Sequence, residues 1–308
     1  MSGVEMEVVS PVLICGEGPH WSCSEQVLYS IDIPGRTVRR YDPATKSETF
    51  IKIDQGQVTF VIPLKGKKNK FLIGVERTVN ILSWDGKQKD FTLENVASVD
   101  DDKPRNRIND AKADPSGRLW AGTMGYELSQ GVFKDFQGSL YCMDKSKCVV
   151  QHEKDVSISN GLDWSPDKKT LYFVDSNAYK VYGFDFDNSC GKISNKRTVL
   201  NYKEMGLQGF PDGMTVDTEG KLWVASYGGQ EVVRVDPKSG RVLQTVKIPA
   251  MAVTSLAFGG PELNELYVTT ASERATAEEK KRFPNSGCTF RVTGLGFKGL
   301  PPNEIDLF

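Results

Sequence analysis

Histidine is nearly missing from this 308-residue chain. His20 and His152 are its only two, which excludes HExxH and multi-histidine zinc sites. There is no GxSxG nucleophile turn and no Walker A loop. The six cysteines, at positions 15, 23, 142, 148, 190 and 288, form no CxxC and no zinc-ribbon spacing. They read as free thiols, although Cys142 and Cys148 are near enough in sequence to meet across a hairpin. Charge of one sign is also lacking: 39 basic residues face 40 acidic ones, for a net −1. No basic field is present to hold nucleic acid or an anionic membrane. The short runs KGKKNK (65–70) and EEKKR (278–282) read as solvated loops. No window approaches the ~18 consecutive apolar residues of a membrane span. The N-terminus is acidic and its apolar run is broken by Pro11, unlike a signal peptide. The expectation is a soluble, cytoplasmic monomer that acts on a small molecule, with neither nucleic acid nor membrane as partner. Any chemistry must rest on carboxylates and amides, with or without a metal.

What the chain does have is repetition. ADPSGRLWAGT (113–123) and VDTEGKLWVAS (216–226) are near copies. HWSCSEQVLYSIDI (20–33), DWSPDKKTLYFVDS (163–176) and AFGGPELNELYVTT (257–270) share their design of strand, polar turn and apolar-aromatic strand, and PLKGKKNKFLIGVE (63–76) is a weaker copy. Anchoring on Leu28, Leu72, Leu119, Leu171, Leu222 and Leu266 gives spacings of 44, 47, 52, 51 and 44 residues. After each anchor comes another strand that mostly ends in Asp, as in TVRRYD, VNILSWD, GSLYCMD and EVVRVD. Six units of about four short antiparallel strands define an all-β fold, a six-bladed β-propeller. Little sequence remains after the last anchor, so the N-terminal strand, within VEMEVVSPVL, is expected to complete the last blade and close the ring. The whole of 1–308 reads as one propeller domain.

In a propeller the first strand of each blade lines the central channel and its start faces one mouth. Counting back 10 or 11 residues from the anchors reaches Glu17, Asn109, Asn160 and Asp212. The weak blade offers Val61 or Ile62 at this level, and the last Thr254 or Ser255. Asp212, in FPDGMTVD, would be a simple turn residue if its motif occurred once. As one of several oxygen-bearing residues at a common level it joins a hard donor set, suited to Ca²⁺, Mg²⁺ or Mn²⁺ and open to Zn²⁺; the bland alternative is a polar mouth that holds water. Two blades have long connections between their second and third strands, 125–137 and 272–287. Both are expected to overhang this mouth. Glu127 and Arg107, and Glu273 or Arg274, are candidates to face it, each with a plain surface residue as the favoured bland alternative. The acidic run VDDDKP (99–104) enters at the same end, as a solvated loop or a second cation site.

CGEGPHW, RINDAKADPSGRLWAGTM, ISNGLDWSPD and FPDGMTVDTEGKLWVA, in this order, resemble the senescence-marker-protein/regucalcin, gluconolactonase and luciferin-regenerating-enzyme family over essentially the whole chain. GEGPHW and GGPELNELYVTTA look most like its insect, luciferin-regenerating branch. The resemblance implies a six-bladed propeller with one divalent metal held by Glu17, Asn160 and Asp212. It also implies Asp212 as general base, and Arg107, Asn109 and Glu127 as substrate-binding residues. The activity it implies is metal-dependent hydrolysis of small lactones, with Ca, Mg, Mn or Zn as cofactor. Two alternatives stand beside it: conversion of oxyluciferin to a nitrile precursor of luciferin, and non-catalytic calcium binding.

Overall fold

The computed structural model describes residues 3–307. Its strands fall into four separate four-stranded antiparallel sheets, one eight-stranded sheet and a two-stranded hairpin. The eight-stranded sheet holds two sets of strands joined at a single pair, Tyr227 with Ala252. The architecture is a β-propeller. The N-terminal strand Glu5–Val8 pairs antiparallel with the last strand, Phe290–Thr293, as expected. None of the helices is long and apolar enough to cross a membrane, among the described residues.

Each repeated motif has a physical cause. The six anchor leucines lie on second strands and are at most 2% exposed, packed in the apolar layers between neighbouring sheets. The Asp that ends a third strand caps the hairpin after it. Asp42 accepts from the Ala44 amide, Asp85 from Lys87, Asp144 from Ser146, Asp187 from Ser189 and Asp236 from Lys238. These are Asx turns, which explains why Asp recurs there. The near-identical turns ADPSGRLW and VDTEGKLW enclose buried carboxylates. Asp114 binds the amides of Ser116 and Arg118, the Arg118 Nε and the Trp120 indole. Asp217 binds the amides of Glu219 and Lys221, the Trp223 indole and Arg234 Nε. One carboxylate thus ties a turn, a buried tryptophan and an arginine together.

Several local expectations change. The segment 278–282 is not a loop but part of the helix Ala277–Arg282, started by a capping box in which the Thr276 side chain accepts from the Glu279 amide and Glu279 reaches back to Thr276. All six cysteines are unpaired, with Cys142 buried and Cys148 exposed. In the acidic run, Asp100 accepts from Asn106 Nδ2 (2.7 Å) and the Tyr141 hydroxyl (2.5 Å), and Asp101 pairs with Arg77. Protein donors already occupy those carboxylates.

Asp217 should be a stability determinant. Asp217→Ala orphans the Trp223 indole and takes the inner partner from a buried Arg234, for an expected loss of about 3 kcal/mol or more. The readout is a lower urea midpoint at unchanged slope. Removing the exposed Lys298–Glu262 pair by Lys298→Ala should cost under about 1 kcal/mol. Equal effects of the two changes would show that the Asp217 turn closes without its carboxylate.

Candidate functional site

The inner strands are Gly16–Ser22, Val58–Pro63, Arg107–Ala113, Ser159–Trp164, Phe210–Val216 and Ala252–Gly259. Every one carries a one-residue irregularity in its pairing with the second strand. These fall between Glu17 and His20, Val58 and Phe60, Ile108 and Asp110, Ser159 and Leu162, Pro211 and Met214, and Val253 and Ser255. A β-bulge turns the extra residue out of the ladder and re-aims its side chain. The residues set at the bulges are Thr59, Asn109, Asn160, Asp212 and Thr254, which have no ladder partner, and Glu17, which pairs with Ile31 at the edge of its bulge. Five of these six, all but Thr59, line one cavity of about 370 Å³. In the strand Val58–Pro63 the equivalent residue is therefore Thr59, not Val61 or Ile62, because the pairing shift comes two residues earlier than the leucine spacing implied.

Local bonds hold the strand starts. The Asp32 carboxylate accepts from the Ile14 and Cys15 amides just before Glu17. Asp175 does the same for Ser157 and Ile158 before Asn160. The glycine after a site residue is a packing requirement. A Cβ on Gly161 would lie 2.4 Å from the Met214 amide nitrogen and 2.8 Å from the Asp212 carbonyl oxygen, and one on Gly213 2.1 Å from Ser255 Oγ. Only glycine lets the bulged strands approach this closely around the axis.

All six residues expected at the site line this cavity: Glu17, Arg107, Asn109, Glu127, Asn160 and Asp212. Asn160 donates from Nδ2 to Ser176 Oγ (3.0 Å), which donates to the Pro211 carbonyl (2.6 Å). That fixes the amide and leaves its oxygen towards the cavity. Glu17 accepts one bond, from the Gly18 amide. Asp212 is 6% exposed, and no described residue donates to its carboxylate. Burial raises the Asp212 pKa well above the usual carboxylate range, and the charges of Glu17, Asp110 and Glu273 raise it further. Glu17 is pushed up to about 8 by burial and by Asp110. Asp110 itself, which the sequence did not single out, is pushed up to about 6 by burial. Several carboxylates share a mouth in which Arg107 is the opposing charge on Glu17 and Asp212.

Among the described residues, no three His, Cys, Asp or Glu side chains group tightly enough to hold an ion. The residues able to hold one here pair two carboxylates, Glu17 and Asp212, with the amide oxygen of Asn160. Their unsatisfied oxygens and mutual repulsion fit a hard divalent ion.

Arg107 and Asn109 form a unit. Arg107 Nη1 donates to Asn109 Oδ1 (2.6 Å) and to the Ile108 carbonyl (3.0 Å), and Asn109 Nδ2 donates to the Ser159 carbonyl (2.8 Å). Both long connections reach the mouth. The first contains the hairpin Glu127–Ser129 and Val132–Phe133, and Glu273 and Arg274 of the second also line the cavity. They meet where Arg274 donates to Glu127 (3.2 Å) and lies 5.2 Å over the Phe133 ring. Glu127 is thus partly engaged by the opposite loop and by the Gly131 amide.

The chain belongs to the family described as SMP-30/Gluconolactonase/LRE-like region, which matches residues 15–272. Regucalcin of Xenopus laevis is 44% identical over 308 residues, 99% of each chain. A solved luciferin-regenerating enzyme superposes with a TM-score of 0.94 at 39% identity, covering 99% of this chain and 100% of its own. A calcium-binding protein, regucalcin, from Agrobacterium tumefaciens superposes with a TM-score of 0.86 at 26% identity, over 98% and 96%.

If the close approach of the bulges sets the donor geometry, Gly161→Ala should push the Asp212 backbone away from Asn160. Calorimetric titration with Ca²⁺ or Mn²⁺ should then show about 10–100-fold weaker binding with an unchanged β-sheet circular dichroism spectrum. Wild-type affinity in that variant would mean that the donors do not depend on this contact.

Proposed function

We propose that the protein is a divalent-metal-dependent hydrolase of small lactones. Its fold is read as a single six-bladed propeller over 1–308, the eight-stranded sheet counting as two blades. The observation that carries the functional reading is the meeting of Glu17, Asn160 and Asp212 in one cavity, each on a β-bulge and each with oxygen valences that the protein leaves open. The family's description, which includes gluconolactonase, supports the substrate class. The six unpaired cysteines support a cytoplasmic setting.

Glu17, Asn160 and Asp212 would hold the ion. When bound, a divalent ion supplies Lewis-acid polarisation of a carbonyl and acidifies water. Arg107 spends Nη1 on the protein, so its remaining guanidinium N–H groups are free to orient the lactone oxygens and to meet negative charge that develops on the carbonyl. The Asp212 carboxylate takes a proton from the attacking water and returns it to the ring oxygen as the acyl–oxygen bond breaks, which leaves a hydroxy acid. The Arg274–Glu127 contact closes the mouth over the substrate and limits its size.

A second reading, action on a luciferin-related heterocycle, has the high structural similarity to luciferin-regenerating enzyme in its favour. The name calcium-binding protein on another relative favours a third, calcium binding without turnover. Assays of glucono-δ-lactone and of oxyluciferin, before and after chelation and with each of Ca²⁺, Mg²⁺, Mn²⁺ and Zn²⁺ added back, separate the three. Metal-restored lactone turnover is expected, and Asp212→Asn should lower kcat by ~10²–10⁴. Calcium binding with neither substrate turned over would overturn the enzymatic reading.

The overhanging loops generate a separate expectation. Shortening 125–137 to a tight turn removes Glu127 and the partner of Arg274. Preference among lactones of different size should change while ion affinity stays within about twofold, because surface loops tolerate length changes at roughly 0.6 kcal/mol per doubling. An unaltered lactone profile would locate selectivity in the channel wall around Arg107 and Asn109.

A further inference from the structure

The same inner strands line a second cavity. Moving three residues along five of the six strands from the first mouth leads from Glu17 to His20, Asn109 to Lys112, Asn160 to Asp163, Asp212 to Thr215 and Thr254 to Ala257. The first member of each pair lines the 370 Å³ cavity, and the second lines another of about 300 Å³. Three residues of extended chain span about 10 Å, so this is the opposite mouth of the channel. The C-terminal segment Leu300–Asn303 forms part of its wall.

The polar groups here are unevenly satisfied. Asp163 is saturated: Oδ2 accepts from Lys112 Nζ (2.6 Å), Thr215 Oγ1 (3.0 Å) and the Val216 amide (3.1 Å), and Oδ1 accepts from the Trp164 amide (2.8 Å). Lys112 Nζ has two acceptors, Asp163 and, at 3.4 Å, the Met214 carbonyl, so one of its three hydrogens is unspent. His20 is 8% exposed, lines the cavity and has no hydrogen-bond partner among the described residues. Burial and the Lys112 charge hold its pKa down at about 3, so at neutral pH it is a neutral imidazole with one N–H to donate. The rest of the wall is rich in proline, including Pro19, Pro115, Pro166 and Pro301.

We propose that this opposite mouth is a second binding site, one that takes a small carboxylate with a short apolar body. The spare ammonium hydrogen of Lys112 and the imidazole N–H of His20 supply two donors for the two carboxylate oxygens. The proline wall accepts the hydrocarbon part. Asp163, which accepts from Lys112 Nζ, balances part of the Lys112 charge. A singly charged anion therefore suits the site better than a doubly charged one.

The two histidines make the test direct, since the NMR spectrum has two imidazole Cε1–H signals and His152→Gln assigns them. The wild-type chain is titrated with propionate, with its neutral isostere propionamide, and with inorganic phosphate. Propionate should shift the His20 signal saturably, with a Kd on the order of 1 mM, and leave His152 in place, whereas propionamide should bind about tenfold more weakly or not at all. Lys112→Met should weaken the propionate response about tenfold. Arg107→Met, in the first cavity, should leave it intact. No saturable shift, equal shifts with propionamide, tighter binding of phosphate, or loss of the response in Arg107→Met would each overturn the proposal. The isostere comparison uses the wild-type protein, so it decides the matter even if Lys112→Met fails to fold.

Discussion

The site depends on one extra residue in each of the six inner strands. A regular strand alternates its side chains between the two faces of a sheet. A residue aimed along the channel must leave that alternation, and the bulge allows it without giving up the rest of the ladder. Because the bulge recurs at the same level of every inner strand, residues from 17 to 254 in the sequence converge at one height on the axis. The glycines at 161 and 213 follow from this, since bulged strands that close on an axis leave no room for a Cβ against the next strand's backbone or side chain, while Gly18 supplies a left-handed φ of 52° beside Glu17. The Asp32 and Asp175 clasps follow as well, because they pin the chain just before it bulges.

The cost of the arrangement is electrostatic. Desolvation raises the proton affinity of Glu17, Asp110, Asp212 and Glu273, and the charges of Asp110 and Glu273 raise that of Glu17 and Asp212 further. Elsewhere the fold treats buried carboxylates differently: Asp114, Asp163 and Asp217 are each surrounded by donors. The contrast lies within one short stretch of chain. Asp212, in the strand Phe210–Val216, and Asp217, just beyond its end, are five residues apart, and the second is surrounded by donors where the first has none. Local rules broken at one place and kept around it are the mark of a site in which stability is given up for binding.

Much of this was legible in the sequence because a propeller repeats its signals. The leucine anchors and the Asp-terminated strands are separate periodic patterns with separate causes, core burial and Asx capping, and they agree. Glu17, Asn109, Asn160 and Asp212 could be found by counting. Thr59 could not, because Leu72 pairs with Ile62 across a longer turn than the other anchors have, so the same count stops at Val61 and Ile62, short of the bulge. Asp110 was hidden behind Asn109. In the other blades the matching residue is often glycine, and nothing in a linear sequence tells which of two adjacent polar residues leaves the ladder and which looks down the channel. The helix at 277–282 was hidden by its charge; its signal was the Thr276–Glu279 capping box.

The pairing of Glu5–Val8 with Phe290–Thr293 joins residues almost a whole chain length apart. During synthesis on the ribosome the earliest strand must wait, unpaired, until nearly the last one has emerged. For that interval both edges of the unfinished sheet array are open, and an open edge recruits whatever strand is nearest. Such long-range closure folds slowly, so the period of greatest exposure to mispairing comes just before completion. A permuted chain that begins between two sheets, with Glu5–Val8 and Phe290–Thr293 adjacent in sequence, would turn this last step into a local hairpin and move the vulnerable seam elsewhere.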